Sequence, residues 1–285
     1  MAHPFSSPHW HLGVIAAIIW GCRLQAMTFT YPAQSNVVSS VAPRVRIAGW
    51  GLVSPLGGSA WETFAALLSG KTIADRTGGW QGQAPPRLDP VSLVRSRGCV
   101  SQGIHVASDP AIDLAERAAR EALFMAGVHD ATGMPCIVGT SKGAMHALHA
   151  AAGDALGRDV SPLRPRPPRD PAMSVALGPH AYLAMHLRER LKLGVVTSTV
   201  AACASGLTAL HQARLMLLHQ PRPAAIRRVL VVSSEAALLP MFIHSYHRLG
   251  VLPPLTGDEY RGRPLDARRC GFMPAEQAAA VVVEV

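Results

Sequence analysis

Cysteine is scarce in this chain and never paired. The five cysteines, Cys22, Cys99, Cys136, Cys203 and Cys270, stand at no C-x-x-C or similar spacing. That argues against a disulfide framework or a cysteine-ligated zinc site, and for reduced thiols in a cytosolic setting. Long apolar runs are missing too. Residues 12–20 form a nine-residue apolar run, well short of the roughly 20 needed to cross a bilayer. No complete dinucleotide or P-loop pattern occurs: Gly49–Gly51 and Gly139–Gly143 are glycine-rich but unfinished, so nucleotide binding is not supported. Charged residues make up only 16% of the chain, yet Lys and Arg outnumber Asp and Glu, 27 to 18. The resulting charge of +9 could suit an anionic partner, but the arginines are dispersed and no nucleic-acid motif accompanies them.

What is abundant is apolar and small. Hydrophobic residues reach 49%, and 285 residues suffice for one large core or two modest domains. Residues 1–43 read as an N-terminal extension and linker with little order. Their apolar run has the length of a signal-peptide core, but no Lys or Arg precedes it, and Met27 is an alternative start. From residue 44 onward, short apolar strands alternate with helical patterns, which predicts βαβ units around a buried, largely parallel sheet. Strands are expected near 44–50, 135–140, 195–200, 227–233 and 278–285. Ser59 and Glu62 form a capping-box pattern for a helix whose apolar face is Trp61, Phe64, Ala65 and Leu68. Asp109-Pro110 opens a second helix running to about Gly127. Residues 71–104 read as irregular. Residues 158–171 hold Arg158, Arg164, Arg166 and Arg169 among prolines, a loop that is either a solvated surface or a dock for an acidic protein.

The chemistry concentrates at residues 197–218. A β-rich run leads into Ala201-Ala-Cys203-Ala-Ser-Gly206, and a helical pattern follows through Leu207, Leu210, Arg214, Leu217 and Leu218. Gly206 is expected to allow the tight strand-to-helix turn. Cys203 then lies at a helix N-terminus, where unpaired N–H groups and the positive dipole end favour a thiolate. Cys203 is a candidate nucleophile, and the N–H groups of Ala204, Ser205 and Gly206 are candidate oxyanion donors. A buried cysteine in a small-residue packing turn is the alternative. The thirteen histidines add little. His146 and His149 have a ligand-like i,i+3 spacing but no local Cys or carboxylate cluster, so no metal is expected. His211 lies about 12 Å along the helix axis from Cys203, too far to be its partner. His244 and His247 are expected at the surface.

Residues 199–206, Thr-Val-Ala-Ala-Cys-Ala-Ser-Gly, resemble the nucleophile elbow of the β-ketoacyl synthases, the condensing enzymes of fatty-acid and polyketide assembly. Three more motifs occur in that family's order. Gly-Trp-Gly-Leu-Val-Ser-Pro-Leu-Gly at 49–57 resembles its opening strand and turn, and Val-Gly-Thr-Ser-Lys-Gly at 138–143 its glycine-rich strand end. Pro-Leu-Asp-Ala-Arg-Arg-Cys-Gly-Phe at 264–272 resembles its Pro-Phe-Asp-x-x-Arg-Asp-Gly-Phe segment. The resemblance covers residues 44–285 and implies a thiolase-like α/β unit of layered sheet and helices, the N-terminal half of a ketosynthase. It implies that Cys203 accepts an acyl group from acyl carrier protein, that Phe272 lies near the acyl pocket, and that no cofactor or metal is required. The chain departs from the family at Cys270, at Leu265, and at Ala275, Gln277 and Ala279, where three glycines are expected around Glu276.

The resemblance also implies that two histidines and a lysine, which serve the condensation step, belong to a C-terminal half that these residues do not match. Three readings follow: a cytoplasmic enzyme subunit completed by another chain, a chain-length-factor-like structural partner of a full ketosynthase, or a truncated gene product. The retained Cys203 argues against the second. A homodimer, or a heterodimer with a ketosynthase-type chain, is expected because half of a layered fold leaves an apolar face uncovered.

Overall fold

The computed structural model describes residues 44–71, 109–155, 171–219, 226–252, 265–269 and 271–285. The expected extension over 1–43, nearly all of the irregular stretch at 71–104 and the arginine-proline loop at 158–170 lie outside the described residues, as do Cys22, Cys99 and Cys270. The elements in chain order are β1 (Arg46–Val53), α1 (Ala60–Leu68), α2 (Pro110–Met125), β2 (Cys136–Gly139), α3 (Met145–Ala155), α4 (Pro171–Leu191), β3 (Val196–Thr199), α5 (Ser205–Leu218), β4 (Arg228–Glu235), α6 (Pro240–Arg248) and β5 (Gln277–Glu284).

The strands form one sheet in the order β1-β5-β4-β2-β3. β2 is parallel to both β3 and β4, whereas β5 is antiparallel to both β4 and β1. The sheet is therefore mixed rather than wholly parallel. Gln277 at the start of β5 pairs with Glu235 at the end of β4, so the chain enters β5 from the carboxyl end of its neighbour and must run back.

Strand alternation separates two cores, because successive side chains point to opposite faces. Cys136, Val138, Leu230, Val232, Ala278, Ala280 and Val282 face α2 and α4. Ile137, Val229, Val231 and Val283 face α5 through Ala209, Ala213 and Leu217. On the first face the helix lies very close to the strands. Ala115, Ala118, Ala119 and Ala122 of α2 are all fully buried, and glycines of β1 admit them. A Cβ on Gly51 would stand 2.1 Å from the Ala118 carbonyl oxygen, and one on Gly49 would stand 2.4 Å from that of Ala122. Asp109 caps α2 by accepting from the Ala111 N–H at 2.8 Å, and its other oxygen accepts from the Ala147 N–H of α3 at 2.8 Å. One buried carboxylate thus satisfies donors on two helices.

Two expectations about burial are corrected. α1 does begin at the Ser59 cap, whose Oγ accepts from the Glu62 N–H, but Thr63 and Ala66 are its buried residues. Trp61, Phe64 and Leu68 are exposed. The helix packs along β1, and just beyond that strand Thr63 Oγ1 shares a 2.9 Å hydrogen bond with Ser54 Oγ. Trp61, Phe64 and Leu67 instead join Trp50 and Val281 in lining an open apolar groove of about 630 Å³. The strand before Cys203 is likewise not buried. Among the described residues β3 lies at one edge of the sheet, beside β2, and flanking Val195 and Val200 are 68% and 57% exposed.

Charge ties the strands at one end. Glu284 of β5 accepts from Arg46 Nε of β1 at 2.9 Å and from Arg228 Nε of β4 at 2.7 Å. Burial opposes ionisation of Glu284, but the hydrogen bonds and charges of the two arginines outweigh it and hold its pKa below the ordinary value. On α2, burial likewise opposes ionisation of Glu116, and Arg190 of α4 with Arg120 overcomes it. For both groups the folded pKa is depressed. Their contribution to stability is therefore full above the unfolded carboxylate value, about 4.3, and is lost as pH falls through the folded value.

Two measurements check this packing. Gly51→Ala should lower stability by roughly 1–3 kcal/mol through overpacking against α2, read as a lower denaturant midpoint; an unchanged midpoint would mean that the helix can retreat freely. Stability followed against pH should decline below about 4.3, and Glu284→Gln should flatten that decline while weakening the fold at neutral pH. An identical acid profile in the variant would show that the two arginines contribute nothing.

Candidate active site

β2, β3 and β4 run parallel and end side by side, with Gly139 level with Thr199 on one side and Ser233 on the other. Ligands of open α/β sheets bind outside such carboxyl ends. The loop leaving β3 carries Cys203, which sits in a 3₁₀ turn, Ala202–Ala204, directly before α5. Cys203 is exposed.

The turn is built differently from the expectation. Gly206 does not supply the unusual backbone angle; Ala202 does, at φ +48°. A non-glycine residue in the left-handed region costs about 1–2 kcal/mol. Gly206 serves close packing instead, since a Cβ there would stand 3.0 Å from Ser233 Oγ of β4. Gly139 at the end of β2 does the same more tightly: its Cβ would lie 2.5 Å from the Ser205 carbonyl oxygen. The helix stripe that meets the sheet is Ser205, Ala209, Ala213 and Leu217, so Leu207 is 73% exposed. Small residues at four-residue spacing let the start of α5 settle onto the strand ends.

Two of the expected oxyanion donors are already engaged. The Ala204 N–H donates to the Ala201 carbonyl at 2.9 Å, and the Ser205 N–H donates to the Ala202 carbonyl. Ser205 also acts through its side chain: Oγ accepts from the Ala201 N–H at 2.9 Å and donates to the Ala202 carbonyl at 2.7 Å. Thr199 Oγ1 donates to Gln212 Oε1, fastening the strand end to α5. With those two N–H groups engaged, the N–H groups of Cys203 and Gly206, at the start of the helix, become the candidate donors for an oxyanion.

A polar cluster neighbours this turn at the ends of β2 and β4. Ser141 Oγ donates to Glu235 Oε2 and accepts from Lys142 Nζ at 3.0 Å. Lys142 Nζ lies 3.7 Å from the same carboxylate oxygen and 5.5 Å from the centre of the Phe242 ring. His180 Nε2 meets the Ser141 carbonyl at 3.2 Å. Glu235 had no signal in the sequence beyond closing an apolar strand.

Phe272 is 45% exposed and stacks edge-on against Tyr246 of α6, with ring centres 5.4 Å apart. Its N–H donates to the Val251 carbonyl. These two contacts hold it beside α6 and the loop that follows. Glu276 is fully buried and lies 3.9 Å from His146 Nε2. The glycine replacements beside it leave β5 regular: Gln277 pairs with Glu235, and Ala279 with both Ser233 and Leu52. His244 and His247 are half-buried on α6. Among the described residues no group of three His, Cys, Asp or Glu side chains gathers as a metal site would, and no helix is long and apolar enough to cross a membrane.

A mixed sheet layered with helices and carrying a cysteine at a strand-to-helix turn defines the class: the thiolase-like fold of the ketosynthases. The family model of the beta-ketoacyl synthase N-terminal domain matches residues 42–285, and the chain belongs to that family. Among solved structures it is similar to a beta-ketoacyl synthase from Burkholderia phymatum STM815, with 24% identity and a TM-score of 0.56, covering 85% of this chain and 59% of that one. A type II PKS acyl-carrier protein in complex with its ketosynthase bound to the hexaketide gives 21% identity and a TM-score of 0.56, covering 85% and 58%. The ishigamide ketosynthase/chain length factor gives 22% identity and a TM-score of 0.55, again covering 85% and 58%. At such identities the likeness shows the fold, and the chain spans less than two thirds of the length of these relatives. A search of curated proteins gives no match.

The geometry separates the two described thiols. Cys136 is buried in β2, and burial pushes its thiol far above the ordinary pKa. Alkylation at neutral pH, mapped by peptide mass, should modify Cys203 first among all five cysteines and leave Cys136 intact in the folded chain. Labelling of Cys136 at a rate comparable with Cys203 would contradict this placement.

Proposed function

We propose that Cys203 accepts an acyl group as a thioester, and that residues 44–285 act as the acyl-accepting part of a β-ketoacyl synthase. The observation that carries this reading is the exposed thiol on a strained turn, at the carboxyl end of a parallel strand trio, in a chain of this family. In the acylation step the Cys203 sulfur attacks the thioester carbonyl of an acyl carrier protein. A carbon–sulfur bond to Cys203 forms, the bond to the carrier breaks, and the carrier thiol leaves with the proton. The N–H groups of Cys203 and Gly206 take the charge that develops on the carbonyl oxygen. In the step that follows, a malonyl-carrier unit loses carbon dioxide and its carbanion attacks the acyl carbonyl; the new carbon–carbon bond replaces the carbon–sulfur bond to Cys203, which leaves as the thiolate. That step needs groups that stabilise an enolate, which the family draws from histidines of its C-terminal half. Phe272, stacked on Tyr246, lines the acyl pocket in this proposal.

The partner follows from the sheet. β3 is an open edge flanked by exposed Val195 and Val200, and such an edge invites a second strand. A homodimer, or a heterodimer with a ketosynthase-type chain, would close it. A soluble, cytoplasmic subunit working with acyl carrier protein is the setting that fits this chemistry.

The chain alone should acylate on Cys203 yet form almost no carbon–carbon bond from labelled malonyl-carrier protein. Positioned acid–base groups contribute roughly 10²–10⁴-fold to such steps, so adding a chain that carries the histidine-bearing half should raise condensation by that order. Cys203→Ala should abolish it again. Robust condensation by the chain alone would overturn the division of labour. Condensation that survives Cys203→Ala in the mixture would favour the chain-length-factor-like reading instead.

A further inference from the structure

We infer that the Ser205 hydroxyl makes Ser205 a positioning residue for Cys203, adding to the N–H that Ser205 already gives the Ala202 carbonyl; the inference rests on the acyl-acceptor reading above. Ser205 is 3% exposed, so its side chain is buried in the turn. Both of its hydrogen bonds go to the two residues that precede Cys203. It accepts from the Ala201 N–H at 2.9 Å and donates to the Ala202 carbonyl at 2.7 Å. The residue so gripped is the one with the unfavourable backbone angle, Ala202 at φ +48°. Strained backbone persists where its surroundings over-determine it, and here one buried hydroxyl holds both sides of the strained residue.

The anchor itself cannot drift. The Ser205 carbonyl is in tight contact with Gly139 of β2, and adjacent Gly206 rests against Ser233 of β4. Position therefore passes from the parallel strand ends, through the Ser205 backbone, to its hydroxyl, and from there to the peptide units that aim Cys203 outward. Without the hydroxyl, Ala202 would relax toward the ordinary right-handed region and the exposed thiol would swing from its aim. Displacements of about 1 Å in reacting groups cost as much as 10²-fold in rate.

The test compares the full-length chain with Ser205→Ala and with A202G/S205A, by amide hydrogen exchange and by acyl transfer from an acyl-carrier thioester. In Ser205→Ala, exchange at Ala201 should rise at least tenfold while the middle of α5 stays protected, and acylation of Cys203 should fall 10- to 100-fold. Glycine adopts positive φ without the alanine penalty, so A202G/S205A should recover much of the acylation although the hydroxyl is still missing. A purely structural serine would not be rescued in that way. Unchanged exchange or unchanged acylation in Ser205→Ala overturns the assignment, as does a double variant no better than the single one. Should the alanine variant not fold, the double variant is read in its place, and its failure to fold also counts against the clamp. If the wild-type chain takes no acyl group at all while the exchange pattern appears as described, the acyl-transfer reading fails and the clamp on the Cys203 turn stands.

Discussion

The site depends on how closely the start of α5 can lie on the ends of β2 and β4. Gly139 has no side chain, so the Ser205 carbonyl can occupy the space that a Cβ would fill, and Gly206 gives the same freedom against Ser233. Once the helix start is seated there, the five residues between β3 and the helix have little room to vary. The chain must turn sharply from Thr199 into the helix, and Ala202 absorbs the turn in a left-handed conformation. Cys203, next in line, has its backbone fixed from both sides and its side chain left outside. The same small-residue logic governs the opposite face, where α2 lies on Gly49 and Gly51. Glycine and alanine at these positions set helix-to-strand distances that bulkier residues would widen.

Local signals made part of this legible. Asp109 and Pro110 announce α2 because a cap and a first-turn proline act on their own neighbours, and the apolar runs of β2, β4 and β5 stand out by composition alone. The motif around Cys203 placed the nucleophile on a strand-to-helix turn without any coordinate. Strand order was not legible, since it depends on pairing between distant segments. The run at 195–200 reads as a strand of a buried sheet, yet β3 lies at an edge of the described sheet, and Val195 and Val200 are exposed. The apolar face of α1 misleads for the same reason: periodicity marks a face but not which way it turns.

Within the site, the illegible features are those that involve no unusual residue. Nothing in the letters Ala-Ala-Cys-Ala-Ser-Gly marks the second alanine as the strained one, and glycine four positions later is the natural but mistaken choice. Nor does the sequence show that Ala204 and Ser205 spend their N–H groups on the turn, which is why Cys203 and Gly206 are proposed instead for the oxyanion. The Ser141, Lys142 and Glu235 cluster joins residues almost a hundred positions apart and forms only because β2 and β4 end together.

In the function proposed for it, the chain holds the nucleophile side of a condensing enzyme, organised by its own sheet. The most direct test of that statement is to incubate the folded chain with an isotopically labelled acyl-carrier thioester, quench it in acid and locate the label by peptide mass. One acyl group per chain, held as a thioester on the peptide containing Cys203 and absent from Cys203→Ala, is the result that the account requires. Label on another residue, or none on a chain that is demonstrably folded, would contradict it.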